Sequence, residues 1–395
     1  MSKAQSTANT RRKIFFINLL PIVLIALNLR APIASIAPVV DSVREYYALN
    51  AALVGLLTSL PLLAFGLVSF AVSYFQPVRA MFVGLLCILL GEIVRCVGGS
   101  AELFIGTAIM GSGIAVANVL LPSLVKSKFP RQIPKIMGIY SLVLNFSAML
   151  GVLLILPLMG LLPVPLALSS WAILAVAAIA SYLPQMSNRR ISRPKLKSTA
   201  TGTLFANANA WKITLFMGIT SAIAYSFFAW YPSFLISFGF SAHFASQMMI
   251  LAHCILVPTA FFAPLMLGVL PSARRIYLII FICGAYIVCF ALLLISQQVW
   301  VVAIVSVLIG VPVGGVFGIA LLFISTKSSN VQTATKLSAM AQGVGYLIAA
   351  LSPVVIGKIY DHFHSFTYAL VGLLGLAILL NCVGYLAYKS PQIQG

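Results

Sequence analysis

Acidic side chains are nearly missing. Five Asp and Glu stand against 24 Lys and Arg in 395 residues, and only 7% of the chain is charged. A soluble domain carries about a quarter charged residues, because its surface faces water. The shortage excludes a soluble enzyme, a DNA-binding module and a disordered chain. Metal-ligand spacing is missing too. The six cysteines (Cys87, Cys96, Cys254, Cys283, Cys289, Cys382) all fall inside apolar segments, where cysteine behaves as a small hydrophobe. No disulfide framework, metal site or cofactor is expected. Alternation of apolar and polar residues is absent from the apolar runs, which excludes a membrane barrel. The net charge of +19 does not point to nucleic acid, because the basic residues are dispersed in loops between those runs.

What the chain has in quantity is apolar length. Hydrophobic residues make up 62% and the mean hydropathy is +1.10. A span needs about 20 mostly apolar residues. Twelve runs qualify, near 14–38, 51–75, 80–97, 102–124, 136–159, 164–184, 212–238, 243–269, 275–296, 299–325, 334–357 and 366–388. All are expected to be helices, since lipid leaves no partner for open backbone groups. The fold class is therefore an all-α integral membrane protein, and its partner along most of its surface is the lipid bilayer. With the N-terminus cytoplasmic, every Lys and Arg apart from Arg30 and Arg95 falls in an inside segment, except Arg44 and Lys358. That asymmetry places both termini inside. Thr10-Arg11-Arg12-Lys13 resembles a twin-arginine export signal. Eleven further spans follow it, so it reads as the basic flank of an ordinary first span.

The longest internal polar stretch lies midway, basic and Ser/Thr-rich. It divides the chain into a six-helix bundle at 1–184, a basic cytoplasmic linker at 185–211 and a second six-helix bundle at 212–395. Sliding one half over the other by about 200 positions aligns Lys13 with Lys212, Pro32 with Pro232, Lys128 with Lys327 and Lys135 with Lys336. Gly111 and Gly113 fall close to Gly310 and Gly314. Two parallel six-helix repeats are the plan of the major facilitator fold.

Several segments carry a narrower resemblance. They are Asn28-Leu29-Arg30-Ala31-Pro32, Gly55 to Leu67, Asn118 to Pro130, Met137 to Ser141, Ala229-Trp230-Tyr231-Pro232, and Lys336 to Pro353. On these the chain resembles, over nearly its whole length, the cyanate and nitroimidazole transporter group (CynX/NimT) of the major facilitator superfamily. The resemblance implies alternating-access transport, a bacterial plasma (inner) membrane location, a monomer and a central cavity lined by span 1. Two departures stand out. The superfamily's Gly/Asp/Arg-rich gating motif between spans 2 and 3 is shortened, and Ser73 to Phe82 keeps only Arg79. Span 5 carries YSLVLNFSAMLG in place of the Gly-Pro-rich antiporter motif of many drug exporters.

An ionisable group at mid-membrane costs about 2.5–3.5 kcal/mol on insertion scales, so each needs a reason. Arg30 lies well inside span 1 beside Asn28, with no acid in that span close enough to neutralise it. A guanidinium offers a planar fork to a carboxylate-like anion; the alternative is a structural arginine that caps carbonyls or snorkels. Glu92 and Arg95 share a helix face and can pair, for structure or for gating. Asn118, Tyr140, Asn145, Gln342 and Tyr346 either contact a solute or join helix to helix. Trp230 and Tyr231, with Tyr225 and Phe227, either wall a planar ligand or pack. His253 either carries a proton or is a neutral, hydrogen-bonded histidine. Asp361-His362-Phe363-His364 has too few ligands near it in sequence for a metal.

The candidate solute-binding set is therefore Arg30, Asn28, Asn118, Tyr140, Trp230, Tyr231, Gln342 and Tyr346. Glu92, Arg95, His253 and Arg79 are candidates for gating or coupling. The expected function is secondary transport of a small anionic or polar planar solute, not an enzymatic reaction. The alternative is a multidrug exporter of the same superfamily. Importing a monovalent anion costs about 2.3 kcal/mol per 100 mV, which calls for proton coupling or a steep gradient. Both ends are expected inside the cell. A green fluorescent protein fused at either terminus will fluoresce, and an alkaline phosphatase fused there will be inactive; active phosphatase would reverse the orientation.

Overall fold

The computed structural model describes residues 2–186 and 202–394. Most of the expected central linker, with Arg189, Arg190, Arg193, Lys195 and Lys197, lies outside the described residues. Twelve helices are long and apolar enough to cross a membrane. They are α1 (Phe15–Tyr46), α2 (Leu53–Val72), α3 (Pro77–Arg95), α4 (Ser100–Lys128), α5 (Ile133–Leu161), α6 (Val164–Met186), α7 (Ala208–Ser237), α8 (Ala242–Val269), α9 (Ser272–Ile295), α10 (Val299–Thr326), α11 (Val331–Phe363) and α12 (Thr367–Lys389). Among the described residues there is no strand, only an isolated bridge between Ser328 and Ile393. The protein is an all-α membrane protein.

Local chemistry sets several helix starts. Asn207 Oδ1 accepts from the amides of Asn209 (2.9 Å) and Ala210 (3.4 Å). Ser241 and Asn330 cap α8 and α11 in the same way, each satisfying an amide the helix cannot. Two spans are broken. The first helical stretch of α1 stops at Asn28, and the chain then forms Ala31–Ala34, a 3-10 turn at Ala37–Val39 and a last helix Val40–Tyr46. Pro32 and Pro38 supply no amide hydrogen and constrain the residue before them. The span consequently extends beyond the end expected from hydropathy. α6 is also interrupted, between Val164–Ser169 and Ala172–Met186.

The residues form two compact units. The first comprises Met1–Ala64, Tyr74–Leu121 and Phe146–Ser198; the second comprises Phe65–Ser73, Pro122–Asn145 and Thr199–Gly395. Within the first, α3 and α4 cross where glycines permit backbone contact. A Cβ on Gly91 would stand 2.5 Å from the Gly106 carbonyl oxygen, and one on Gly113 would stand 2.4 Å from that of Gly84. Gly111 faces Pro61 and Ala64 of α2. In the second unit α10 meets α8 similarly, Gly310 against Ala252 and Gly314 against Leu256 and Ala260. Helices in lipid gain no hydrophobic drive from meeting each other, so close van der Waals packing through small residues takes its place.

The polar ends of the second unit are tied by lysines. Lys126 Nζ donates to the Ser325 carbonyl (2.8 Å) and to that of Ser328 at the end of α10. Lys327 does the same for the end of α12, at Tyr388 and at Ser390 (2.6 Å). Burial pulls the Lys327 ammonium below the ordinary lysine pKa. Beyond α12, Ile393 exchanges backbone hydrogen bonds with Lys327 (2.7 Å) and Ser329 (3.0 Å).

A Cβ on Gly314 would lie 2.2 Å from the Leu256 carbonyl, whereas one on Gly372 meets nothing within 4 Å. Gly314→Ala will lower stability by about 1–3 kcal/mol, read as a lower thermal midpoint of the purified protein, and Gly372→Ala will not.

Candidate functional site

In the first unit Asn28 and Arg30 lie at the break in α1. Backbone groups released there are taken up by other helices. Ser147 Oγ, on α5, accepts from the Ala31 amide (3.0 Å) and donates to the Leu27 carbonyl. Gly151, one turn on, allows this approach: a Cβ there would be 2.6 Å from the Ala31 carbonyl oxygen. Asn28 Nδ2 donates to Leu24 (2.7 Å) and to Leu174 of α6 (3.0 Å). Its Oδ1 is buried and has no hydrogen-bond partner. Arg30 immediately precedes the short helix Ala31–Ala34, at φ −128°, and is half-buried. A broken membrane helix with an arginine and an amide at the break is the kind of backbone irregularity found where a helix lines a cavity.

In the second unit Gln342 and Tyr346 lie one turn apart on α11 and are both fully buried. Gln342 Nε2 donates to Ser338 Oγ (2.8 Å). The Tyr346 ring lies between Phe65 (5.2 Å between centroids) and Tyr225 (6.4 Å, edge-on). Trp230 and Tyr231 are directed elsewhere. Trp230 Nε1 donates to the Pro353 carbonyl of α11 (2.9 Å), and its ring packs on Phe366. The Tyr231 hydroxyl meets Ser306 Oγ of α10 at 2.6 Å. Both therefore join helices.

The remaining candidates are dispersed. Asn118 and Tyr140 are buried. Arg79 is exposed in the first turn of α3. His253 Nδ1 pairs with the Met249 carbonyl one turn back (2.8 Å), and its ring faces Phe228. Glu92 and Arg95 form the expected pair, with Nη1 3.5 Å from the carboxylate and both side chains inaccessible to solvent. Among the described residues, no three His, Cys, Asp or Glu side chains are grouped as a metal site would need. The sequence reading missed Ser147, Gly151 and Phe65. Only a repeated small residue on α5 hinted at the first two.

A family model described as the Major Facilitator Superfamily matches residues 22–353. The chain belongs to that superfamily. The transporter is 33% identical over 383 residues to the 2-nitroimidazole transporter of Escherichia coli (strain K12), covering 94% of this chain and 95% of that one. It is 27% identical to the cyanate transport protein CynX of the same organism, covering 95% and 98%. Its fold is similar to the solved structure of the proton:xylose symporter XylE, with a TM-score of 0.73 at 14% identity, covering 95% and 94%. The protein is thus a multi-pass membrane transporter of small-molecule solutes, on a fold that some proton symporters share.

Ser147→Ala removes both hydrogen bonds that Ser147 makes across the α1 break. Leaving a buried amide without its partner costs about 1–3 kcal/mol. The substitution will lower the thermal midpoint accordingly and will raise amide exchange at Ala31.

Proposed function

We propose that this transporter is a secondary-active, alternating-access carrier for a small anionic or polar planar solute, cyanate-like or nitroimidazole-like. It resides in a bacterial plasma membrane, with both termini cytoplasmic, and works as a monomer of two six-helix halves, 1–184 and 212–395, joined by the linker 185–211. The observation that carries the reading is the break in α1 beside Arg30, held open by Ser147 and Asn28. Arg30 would present its guanidinium fork to the anionic or nitro end of the solute, with Asn28 beside it.

The printed names of two relatives, a 2-nitroimidazole transporter and a cyanate transport protein, support the same solute class. Within the second unit, Tyr346 packs with Phe65 and Tyr225 and has Gln342 one turn away; Gln342 and Tyr346 contact the solute in this reading. Asn118 and Tyr140 are further solute contacts in this reading, and His253 and Arg79 serve gating or coupling. Trp230 and Tyr231, whose polar edges bond Pro353 and Ser306, are the remaining solute-contact candidates. Anion uptake against the membrane potential would be coupled to protons, whereas export would run downhill.

The test is thermal stabilisation of the purified protein and of Arg30→Ala. The ligands are cyanate, small carboxylates, 2-nitroimidazole and an organic cation. A ligand at 100 times its Kd stabilises by about 2.7 kcal/mol. Cyanate or 2-nitroimidazole will raise the midpoint of the wild type and not of the variant. Equal stabilisation of both proteins by neutral and cationic ligands would instead make Arg30 structural and favour a broad exporter.

A further inference from the structure

Two separate parts of the chain hold the end of α10, and they share one backbone position. A helix continuing past Thr326 would send the Ser329 amide to the Ser325 carbonyl, four residues back. α10 stops at Thr326 instead, and the Ser329 amide donates to the Ile393 carbonyl (3.0 Å). The Ser325 carbonyl, released by that turn, accepts from Lys126 Nζ of α4 (2.8 Å), and the Ser328 carbonyl accepts from the same ammonium. Another bond runs the opposite way, from Ser325 Oγ to the Pro122 carbonyl of α4 (3.0 Å).

Residues 391–394 are anchored so as to keep that exchange in force. Ile393 is buried, and its amide donates to the Lys327 carbonyl (2.7 Å). Lys327 Nζ donates to the Tyr388 and Ser390 carbonyls, where α12 gives way to these residues. The Tyr388 hydroxyl donates to the Ser272 carbonyl at the start of α9 (2.9 Å). All of these groups belong to the second compact unit, which includes Pro122–Asn145 as well as Thr199–Gly395.

The register of the contact bears on function. Lys126 and Ser325 are 199 residues apart, the same offset that aligns Lys128 with Lys327. They are therefore equivalent positions of the two sequence repeats, and α4 bonds there to its own counterpart, α10. The bond is nonetheless asymmetric. The first repeat supplies an ammonium, and the second supplies carbonyls at the negative end of a helix. In alternating access one repeat rocks against the other, so a bond between equivalent helix ends is made in one state and broken in the other.

We infer that Lys126 is a latch that holds the ends of α4 and α10 together on the expected cytoplasmic face, armed by residues 391–394, which draw the Ser329 amide away from the Ser325 carbonyl. The inference rests on the alternating-access reading of the proposed function. Lys126 is here a positioning residue and touches no solute. Without residues 391–394 the Ser329 amide is free to return to the Ser325 carbonyl, where it competes with the ammonium. Latch and strap are thus coupled, and losing either has the effect of losing both.

The test is amide hydrogen exchange on the purified full chain. It is read at the ends of α4 and α10, residues 122–132 and 322–331, and at the connections 47–52 and 238–241 on the opposite face. Lys126→Met will raise exchange about tenfold at the α4 and α10 ends and lower it at the opposite connections, as one face opens and the other closes. Lys126→Arg, which keeps the charge and its donors, will stay close to the wild type. Lys135→Met removes an exposed charge nearby and will change neither face. A chain ending at Ser390 will reproduce Lys126→Met, and combining the two will add nothing further. If Lys126→Met does not fold, the chain ending at Ser390 carries the test alone. A rise confined to the α4 and α10 ends would make Lys126 a local cap and overturn the latch. Additive effects of the two changes would overturn the coupling. Cyanate and 2-nitroimidazole, added to the wild type, separate this inference from the reading beneath it. If a ligand moves exchange on the two faces in opposite directions and Lys126→Met does not, the latch alone fails. If neither does, alternating access fails with it.

Discussion

A bilayer supplies no hydrogen bonds, so a helix inside it is broken only where other helices receive what the break releases. The rest of the first unit's polar architecture depends on that constraint at Asn28 to Ala31. Ser147 takes both an amide and a carbonyl from the two sides of the gap. Gly151 lets α5 come close enough to do so, and Leu174 accepts the Asn28 amide from α6. Three helices are committed to one irregularity. A continuous α1 would have needed none of these contacts, and Arg30 would then have stood on an ordinary helical face.

The scarcity of acids shapes where the cations go. With five Asp and Glu against 24 Lys and Arg, carboxylate partners are scarce, and two lysines use helix ends instead. Lys126 and Lys327 donate to the carbonyls at the ends of α10 and α12, where the helix dipole is negative and the last four carbonyls lack intrahelical donors. Glu92 and Arg95 form an ion pair held wholly inside the first unit. Removing either partner of such a pair strands a buried charge at a cost of several kcal/mol.

The fold was legible because hydropathy over about 20 residues depends on composition alone, and twelve runs met it. The breaks were less so. The first one was not expected: span 1 read as one helix near 14–38, whereas α1 continues to Tyr46 through short helical pieces that no hydropathy window resolves. Within the candidate site, Asn28 with Arg30, Glu92 with Arg95, and Gln342 with Tyr346 could be paired because each pair lies within one helical turn. Ser147 and Phe65 could not, since each reaches its neighbours across long sequence separations. Trp230 and Tyr231 illustrate the converse. Their residue types suited a ligand wall, and their bonds to Pro353 and Ser306 use the polar edge of each ring to join helices.

The short parallel bridge at Ile393 gives the last residues a job that their position would not suggest. Ile393 is buried, and its amide and carbonyl are shared with Lys327 and Ser329 in the connection between α10 and α11. The tail thus works as a clasp that fixes the register of that connection, and Lys327 closes the same loop from the other side. A purification handle or reporter joined directly after residue 395 is a perturbation of the α10–α11 turn, and a spacer of several flexible residues is the natural way to keep the clasp shut.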